Sequence, residues 1–179
     1  FLARRENGAW RFLARKDLGI AAYQAREHQT GYAGPGREDD VRPAVAEVRL
    51  GYFGPSDASD PEGGDLWRAA QMAIEEANRS GGLDGKPFRL VPAWSGNPWQ
   101  SGVAHLTRGV YRDEVWAIIG GPDGPSTHLA EQVVAKARVP LLSPVASDKT
   151  VNLANVPWMF SLTPGDHLQA PVLADAIAA

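Results

Sequence analysis

The chain has 179 residues, 44% hydrophobic and 22% charged, enough for one domain with a sizeable core and ordinary for a globular protein. Its net charge of −3 gives no general attraction to nucleic acid, which is bound by displacing counterions with a basic surface. With no cysteine, disulfides, thiolate metal sites and cysteine nucleophiles are excluded.

Residues 1–46 differ from the rest. They carry eight basic against six acidic residues, a net of +2 that leaves −5 for residues 47–179. A short helix is expected over residues 17–27 with Asp17 as N-cap, and the Gly-Pro-rich run at 31–36 ends any regular structure. Trp10, Phe12, Tyr23 and Tyr32 are too sparse to build a core alone. This segment reads as an irregular N-terminal arm, packed on its own domain or ordering against another protein.

From residue 47 the pattern tightens. Val48, Leu50, Tyr52 and Phe53 predict a strand closed by Gly54-Pro55, and a turn-rich acidic loop follows with Asp57, Asp60, Glu62 and Asp65. Leu66, Ala69, Ala70, Ala73 and Ala77 recur at helical spacing, and Ser80-Gly81-Gly82 stops that helix with a left-handed residue. Phe88, Leu90 and Val91 predict a second strand. Asn97-Pro98 opens a helix with Val103, Leu106 and Val110 inward, and residues 115–119 form an unalternating strand expected to be buried on both faces.

Gly120-Gly121-Pro122-Asp123-Gly124-Pro125 then turns the chain into a third helix led by Ser126 or Thr127, with Leu129, Val133 and Val134 inward. Leu141-Leu142 and Trp158-Met159-Phe160 are the fourth and fifth strands, and Thr163-Pro164-Gly165-Asp166 opens a last helix. Strands alternating with crossover helices predict an α/β fold. It is a doubly wound, mostly parallel sheet with helices on both faces, and such sheets bind ligands at the loops after their strands.

Catalytic and metal motifs are weak. Gly120-Gly121 with Gly124 lacks the spacing and the Lys-Ser/Thr of a phosphate loop. His28, His105, His128 and His167 are scattered without ligand spacing, although His128 begins the helix after the candidate loop. Gly54-Pro55-Ser56 and Gly124-Pro125-Ser126 lack the closing glycine of a nucleophile elbow. No metal, cofactor or catalytic constellation is expected, and the acidic loop reads as solvated. No apolar run approaches the roughly 18 residues of a membrane span. The chain begins at Phe1 rather than Met, so nothing follows about a signal peptide. Trp94, in the loop after the second strand, is the tryptophan placed to stack on a ligand.

Five segments in order resemble the type I periplasmic binding proteins, in particular the branched-chain amino acid group. They are Val48-Arg49-Leu50-Gly51-Tyr52-Phe53-Gly54-Pro55, the stretch at 73–86 that runs through Ala77-Asn78-Arg79-Ser80-Gly81-Gly82, Ala117-Ile118-Ile119-Gly120, Val139-Pro140-Leu141-Leu142-Ser143-Pro144 and Val156-Pro157-Trp158-Met159-Phe160. The resemblance covers residues 47–179 as a first lobe only; residues 1–46 match nothing in it. It implies a non-catalytic solute-binding protein of an ABC transporter for amino acids or other small polar solutes, periplasmic or otherwise extracytoplasmic. The alternative is an accessory or sensory subunit that uses the same lobe to dock on a protein complex through the arm.

In that family the first lobe holds the ligand carboxylate with hydroxyls and backbone amides after strands three and four, where helix N-termini favour anions. By position this implies Asp123, Gly124, Pro125, Ser126 and Thr127 in one loop and Val145, Ala146 and Ser147 in the other. Ser147 falls where the family keeps a hydroxyl donor, and Glu62 where several members place an aromatic residue. The family's pair of small hydroxyl residues is replaced by Asp123-Gly124, and Pro125 removes a backbone donor. The expected occupant therefore lacks a free carboxylate at this position, or the site is out of use.

Overall fold

The computed structural model describes residues 3–7, 9–12, 44–94 and 98–178. The helix expected over residues 17–27 lies outside them. Within the arm, β1 (Ala3–Glu6) and β2 (Ala9–Phe12) pair antiparallel as a hairpin, where the sequence reading had no strand. The overlooked signal is Asn7-Gly8, a dipeptide that favours a two-residue primed turn; Asn7 has φ 50°.

Five parallel strands form the main sheet: β3 (Val48–Phe53), β4 (Phe88–Pro92), β5 (Ala117–Gly120), β6 (Leu141–Ser143) and β7 (Met159–Ser161), in the order β4-β3-β5-β6-β7. The helices are α1 (Gly64–Arg79), α2 (Pro98–Tyr111), α3 (Gly124–Ala137) and α4 (Asp166–Ala178). Alternation along β3 sends Tyr52 and Phe53 to opposite faces. Tyr52 meets Trp67 of α1 with ring centroids 4.9 Å apart. Phe53 lies beneath α2, so close that a Cβ on Gly102 would sit 3.2 Å from its ring.

The core fills the α2 and α3 side, where Phe53, Leu106, Ile118, Leu129, Val134 and Leu141 pack together. This one-sidedness corrects the reading of β5. Ile118 and Gly120 are buried, but Ala117 and Ile119 are only half-buried, because β5 is fully covered on one face alone. Helix registers shift similarly. In α2 the inward line is Gly102, Leu106 and Gly109, and Val103 is exposed; in α1, Ala70 is buried and Trp67 and Ile74 half-buried, whereas Ala69 and Ala73 face solvent. Alanine fits either side of a helix, so the tryptophan and isoleucine decide which side turns in.

Two polar features hold this architecture locally. Asn78 near the end of α1 clasps the backbone of Phe88, donating to its carbonyl at 2.9 Å and accepting from its N–H at 2.7 Å. It thereby fixes the start of edge strand β4 to the helix before it, while Gly82, with φ 66°, turns the chain between them. Trp158, just before β7, donates its indole N–H to the Val134 carbonyl of α3 at 2.7 Å.

Two stability changes follow. Asn78→Leu leaves both Phe88 backbone groups without their partner and is expected to cost about 1–3 kcal/mol in denaturant unfolding. Tyr52→Phe should do the opposite. The Tyr52 hydroxyl is buried without a hydrogen-bond partner among the described residues, so its removal is expected to stabilise by about 1 kcal/mol in the same assay.

Candidate functional site

In a doubly wound sheet the ligand crevice lies at the carboxyl ends of the strands, at the point where strand order reverses. Here that point falls between β3 and β5, since the chain passes from β3 to β4 on one side and to β5 on the other. The loops along this edge follow β4, β3, β5 and β6 in turn. They carry, respectively, Trp94, then Glu62, then residues 123–127, then residues 145–147.

The loop after β5 is shaped by crowding. Gly120 has φ 142° and Gly121 φ 83°; a Cβ on the first would lie 2.2 Å from the Phe53 carbonyl oxygen, and on the second 2.0 Å from Thr127 Oγ1. Only glycine tolerates both the backbone angle and the approach. Gly121 N–H bonds the Phe53 carbonyl at 2.8 Å, so the chain leaves β5 against the end of β3 and enters α3 at once.

Asp123 caps α3. Its extended backbone and its Oδ1, which accepts the Ser126 N–H at 2.7 Å, start the helix at Gly124, not at Ser126 or Thr127 as the sequence reading had it. Pro125 in the first turn sacrifices an N–H that has no partner inside the helix. Thr127 is fully buried and donates Oγ1 to the Asp123 carbonyl at 2.6 Å; Ser126 is 2% exposed. These two therefore belong to the helix start, whereas the exposed Asp123 stands on the open edge.

The loop after β6 is laced to its neighbours. The Ala146 carbonyl accepts from Thr163 Oγ1 at 2.7 Å, and the Ser147 carbonyl from the Asp166 N–H at 2.6 Å. Val145 is exposed, Ala146 buried and Ser147 half-buried. Asp148 follows, packed so tightly on Gly124 that a Cβ there would lie 2.6 Å from its own. The structure thus brings Asp123, Gly124 and residues 145–147 together along one stretch of the edge. Trp94 packs edge-on against Phe53 with centroids 4.9 Å apart, half-buried on the core, and Glu62 is exposed on the β3 loop.

Sequence reasoning missed a chain of side chains behind these loops. Asp148 Oδ1 accepts the Thr150 hydroxyl at 2.6 Å and its N–H at 2.7 Å. His128 Nε2 makes a short contact with Thr150 Oγ1, and its Nδ1 meets Glu131 Oε2 at 3.1 Å. The Asp-x-Thr spacing at 148–150 was the available signal, since Asp commonly accepts from the backbone two residues on. Glu131, His128 and Thr150 have the connectivity of a hydroxyl, base and carboxylate relay. While the Thr150 hydroxyl donates to Asp148, it does not donate to the imidazole.

Tyr52 and Ser143, at the carboxyl ends of β3 and β6, are fully buried with unpartnered hydroxyls among the described residues. Burial, and next the charge of Asp60, push the Tyr52 phenol up to about 12. The acidic loop satisfies itself: Asp57 accepts from Ser59, Asp60 from the N–H groups of Glu62 and Gly63, and Asp65 pairs with Arg68. Among the described residues no three His, Asp or Glu side chains gather as metal ligands, and no helix is long and apolar enough to cross a membrane. A cavity of about 540 Å³ opens at the opposite, amino-terminal ends of the strands, lined in part by Glu47, Arg49, Glu114 and Trp116. Its Glu47 is held by Arg49 and Arg89 at 2.9 and 3.0 Å, so the switch-point edge is the better candidate.

Residues 47–179 match a family described as periplasmic binding protein. An amino acid binding protein of Pseudomonas aeruginosa is 30% identical over 135 residues, 75% of this chain and 36% of that protein. The branched-chain amino acid transporter substrate binding protein LivJ of Streptococcus pneumoniae, solved with isoleucine, is 26% identical with a TM-score of 0.59 over 67% of this chain and 34% of its own. An ABC transporter substrate-binding protein of Desulfitobacterium hafniense, solved with Leu, shares the fold at 23% identity, with a TM-score of 0.66 over 74% and 38%. The chain thus spans little more than a third of the length of these relatives. With the strand order, the glycine turn after β5 and this match over residues 47–179, the chain belongs to the periplasmic binding protein family.

Proposed function

We propose that residues 47–179 form the first lobe of an ABC transporter substrate-binding component, with residues 1–46 as an arm outside it. The lobe does no chemistry. It supplies one wall of a site for a small polar solute, and a second lobe closes over that wall about a hinge before the solute passes to a membrane transporter outside the cytoplasm. Family membership supports this reading, as do relatives named for amino acids and for isoleucine and leucine complexes. The same comparisons lend no support to the alternative of a docking subunit.

The Asp123 cap carries the argument about the solute. A free helix N-terminus attracts an anion through its N–H groups and dipole, but at α3 the Asp123 carboxylate already accepts the Ser126 N–H. A second carboxylate arriving there would meet like charge. The group that fits against Asp123 is instead a donor, an ammonium or a hydroxyl, with Ser147 offering its hydroxyl from the next loop and Trp94 an apolar ring along the edge.

Calorimetry on the intact protein tests this. Leucine is expected to bind more weakly than about 1 mM, a free energy of only about 4 kcal/mol. Asp123→Ser keeps a good N-cap while removing the charge, and should improve leucine affinity about tenfold or more, the effect of about 1.4 kcal/mol. Tight leucine binding by the unaltered protein, lost in Ser147→Ala, would overturn the reading.

A further inference from the structure

We infer that the outer edge of β4 is closed to strand addition: Asn78, Leu83 and Pro92 occupy or remove the backbone groups that a further strand would pair with. The inference stands apart from the proposed function, since it concerns which surface of the lobe another chain can use.

An edge strand presents a row of N–H and C=O groups that invites pairing with another chain. The bonds to β3 show which residues of β4 turn theirs outward. The Pro87 carbonyl accepts the Val48 N–H at 2.8 Å, and the Ala93 N–H donates to the Tyr52 carbonyl at 2.8 Å, so the odd-numbered residues of this stretch face β3. The outward row is therefore Lys86, Phe88, Leu90 and Pro92.

Three of these positions are taken. Lys86 exchanges two backbone bonds with Leu83, donating at 3.0 Å and accepting at 2.9 Å, as the chain folds back through Asp84 and Gly85 with φ 52° and 78°. Gly82 makes room for that fold, since a Cβ on it would lie 2.0 Å from the Lys86 carbonyl oxygen. Phe88 exchanges two bonds with the Asn78 side chain. That amide presents one donor and one acceptor to a single residue, as the facing residue of an antiparallel strand does. Pro92 has no N–H to give. Of the four, Leu90 is the residue with both groups still turned out.

One residue does not make a ladder. An added strand bonds every second residue of the edge it extends, and one that reached Leu90 would meet the Asn78 amide on one side and a proline on the other. A single pair of bonds gains too little to offset the entropy lost in ordering the incoming chain. Another protein, or a second copy of this chain, therefore meets this flank through side chains and does not extend the sheet from it.

Reopening the edge in the intact protein is the test. Asn78→Ala combined with Pro92→Val frees three successive outward residues, and Val134→Ala, a core truncation that leaves the edge untouched, controls for lost stability. Each protein is held at the temperature where circular dichroism gives the same folded fraction, and assembly is followed by thioflavin fluorescence and light scattering. The double variant is expected to assemble about tenfold faster than the core variant, as an exposed strand edge does. Pro92→Val by itself keeps the Asn78 clasp and hence the fold, frees two successive residues, and is expected to assemble faster than the unaltered protein. Assembly of the double variant no faster than that of Val134→Ala, or of Pro92→Val no faster than that of the unaltered protein, overturns the inference.

Discussion

The close passage of β5 against the end of β3 is the constraint on which the rest of the lobe depends. Gly120 presses on the Phe53 backbone and Gly121 on Thr127, and the second of these contacts sets where α3 can begin. Because β3 and β5 flank the reversal in strand order, the same crowding opens the crevice on one side and aims a helix into it from the other. A side chain at Gly121 would push α3 away from the sheet and strip the core of Leu129, Val133 and Val134, which line up behind that turn, and one at Gly120 would part β5 from the end of β3. Packing and site geometry therefore have one origin.

That origin also explains what the sequence reveals and what it hides. Strand-length apolar runs and glycine stops are local signals, and they placed all five strands of the main sheet and their crossover helices in order. Most failures are about which neighbour covers what. Ile119 looks as buried as Ile118 in a string of letters, yet only one face of β5 is fully covered. Ala69 and Ala73 have helical spacing but no bulk to favour an inward face, and Trp67 and Ile74 turned the helix instead. The hairpin of the arm hung on a single Asn-Gly pair inside a segment otherwise rich in charges.

The candidate site was legible as a place more than as a mechanism. The family resemblance pointed to Asp123 and Ser147, which lie on the loops after β5 and β6, and the carboxylate of Asp123 was already at odds with an anionic ligand. Position could not show that this carboxylate is spent on its own helix, because an N-cap is defined by backbone angle and hydrogen bonding. Nor could it join His128 to Thr150, 22 residues away. Contacts of that span exist only once α3 and the β6 loop are brought side by side.

Asp123 meets at the start of α3 a demand that every helix N-terminus makes. A helix start on an open edge either leaves its N–H groups for a ligand or satisfies them from its own chain. With a small hydroxyl residue at the cap, charge compensation falls to the ligand, and a carboxylate is welcome. With Asp123 the helix carries its own anion, worth about 1 kcal/mol to the fold as a cap, and electrostatic preference at the edge changes sign. The scaffold gains stability from the same atoms that set the charge at this end of α3. On the proposed function, selectivity and stability share one side chain, and a substitution that alters the first without the second must keep an oxygen at the cap while removing its charge.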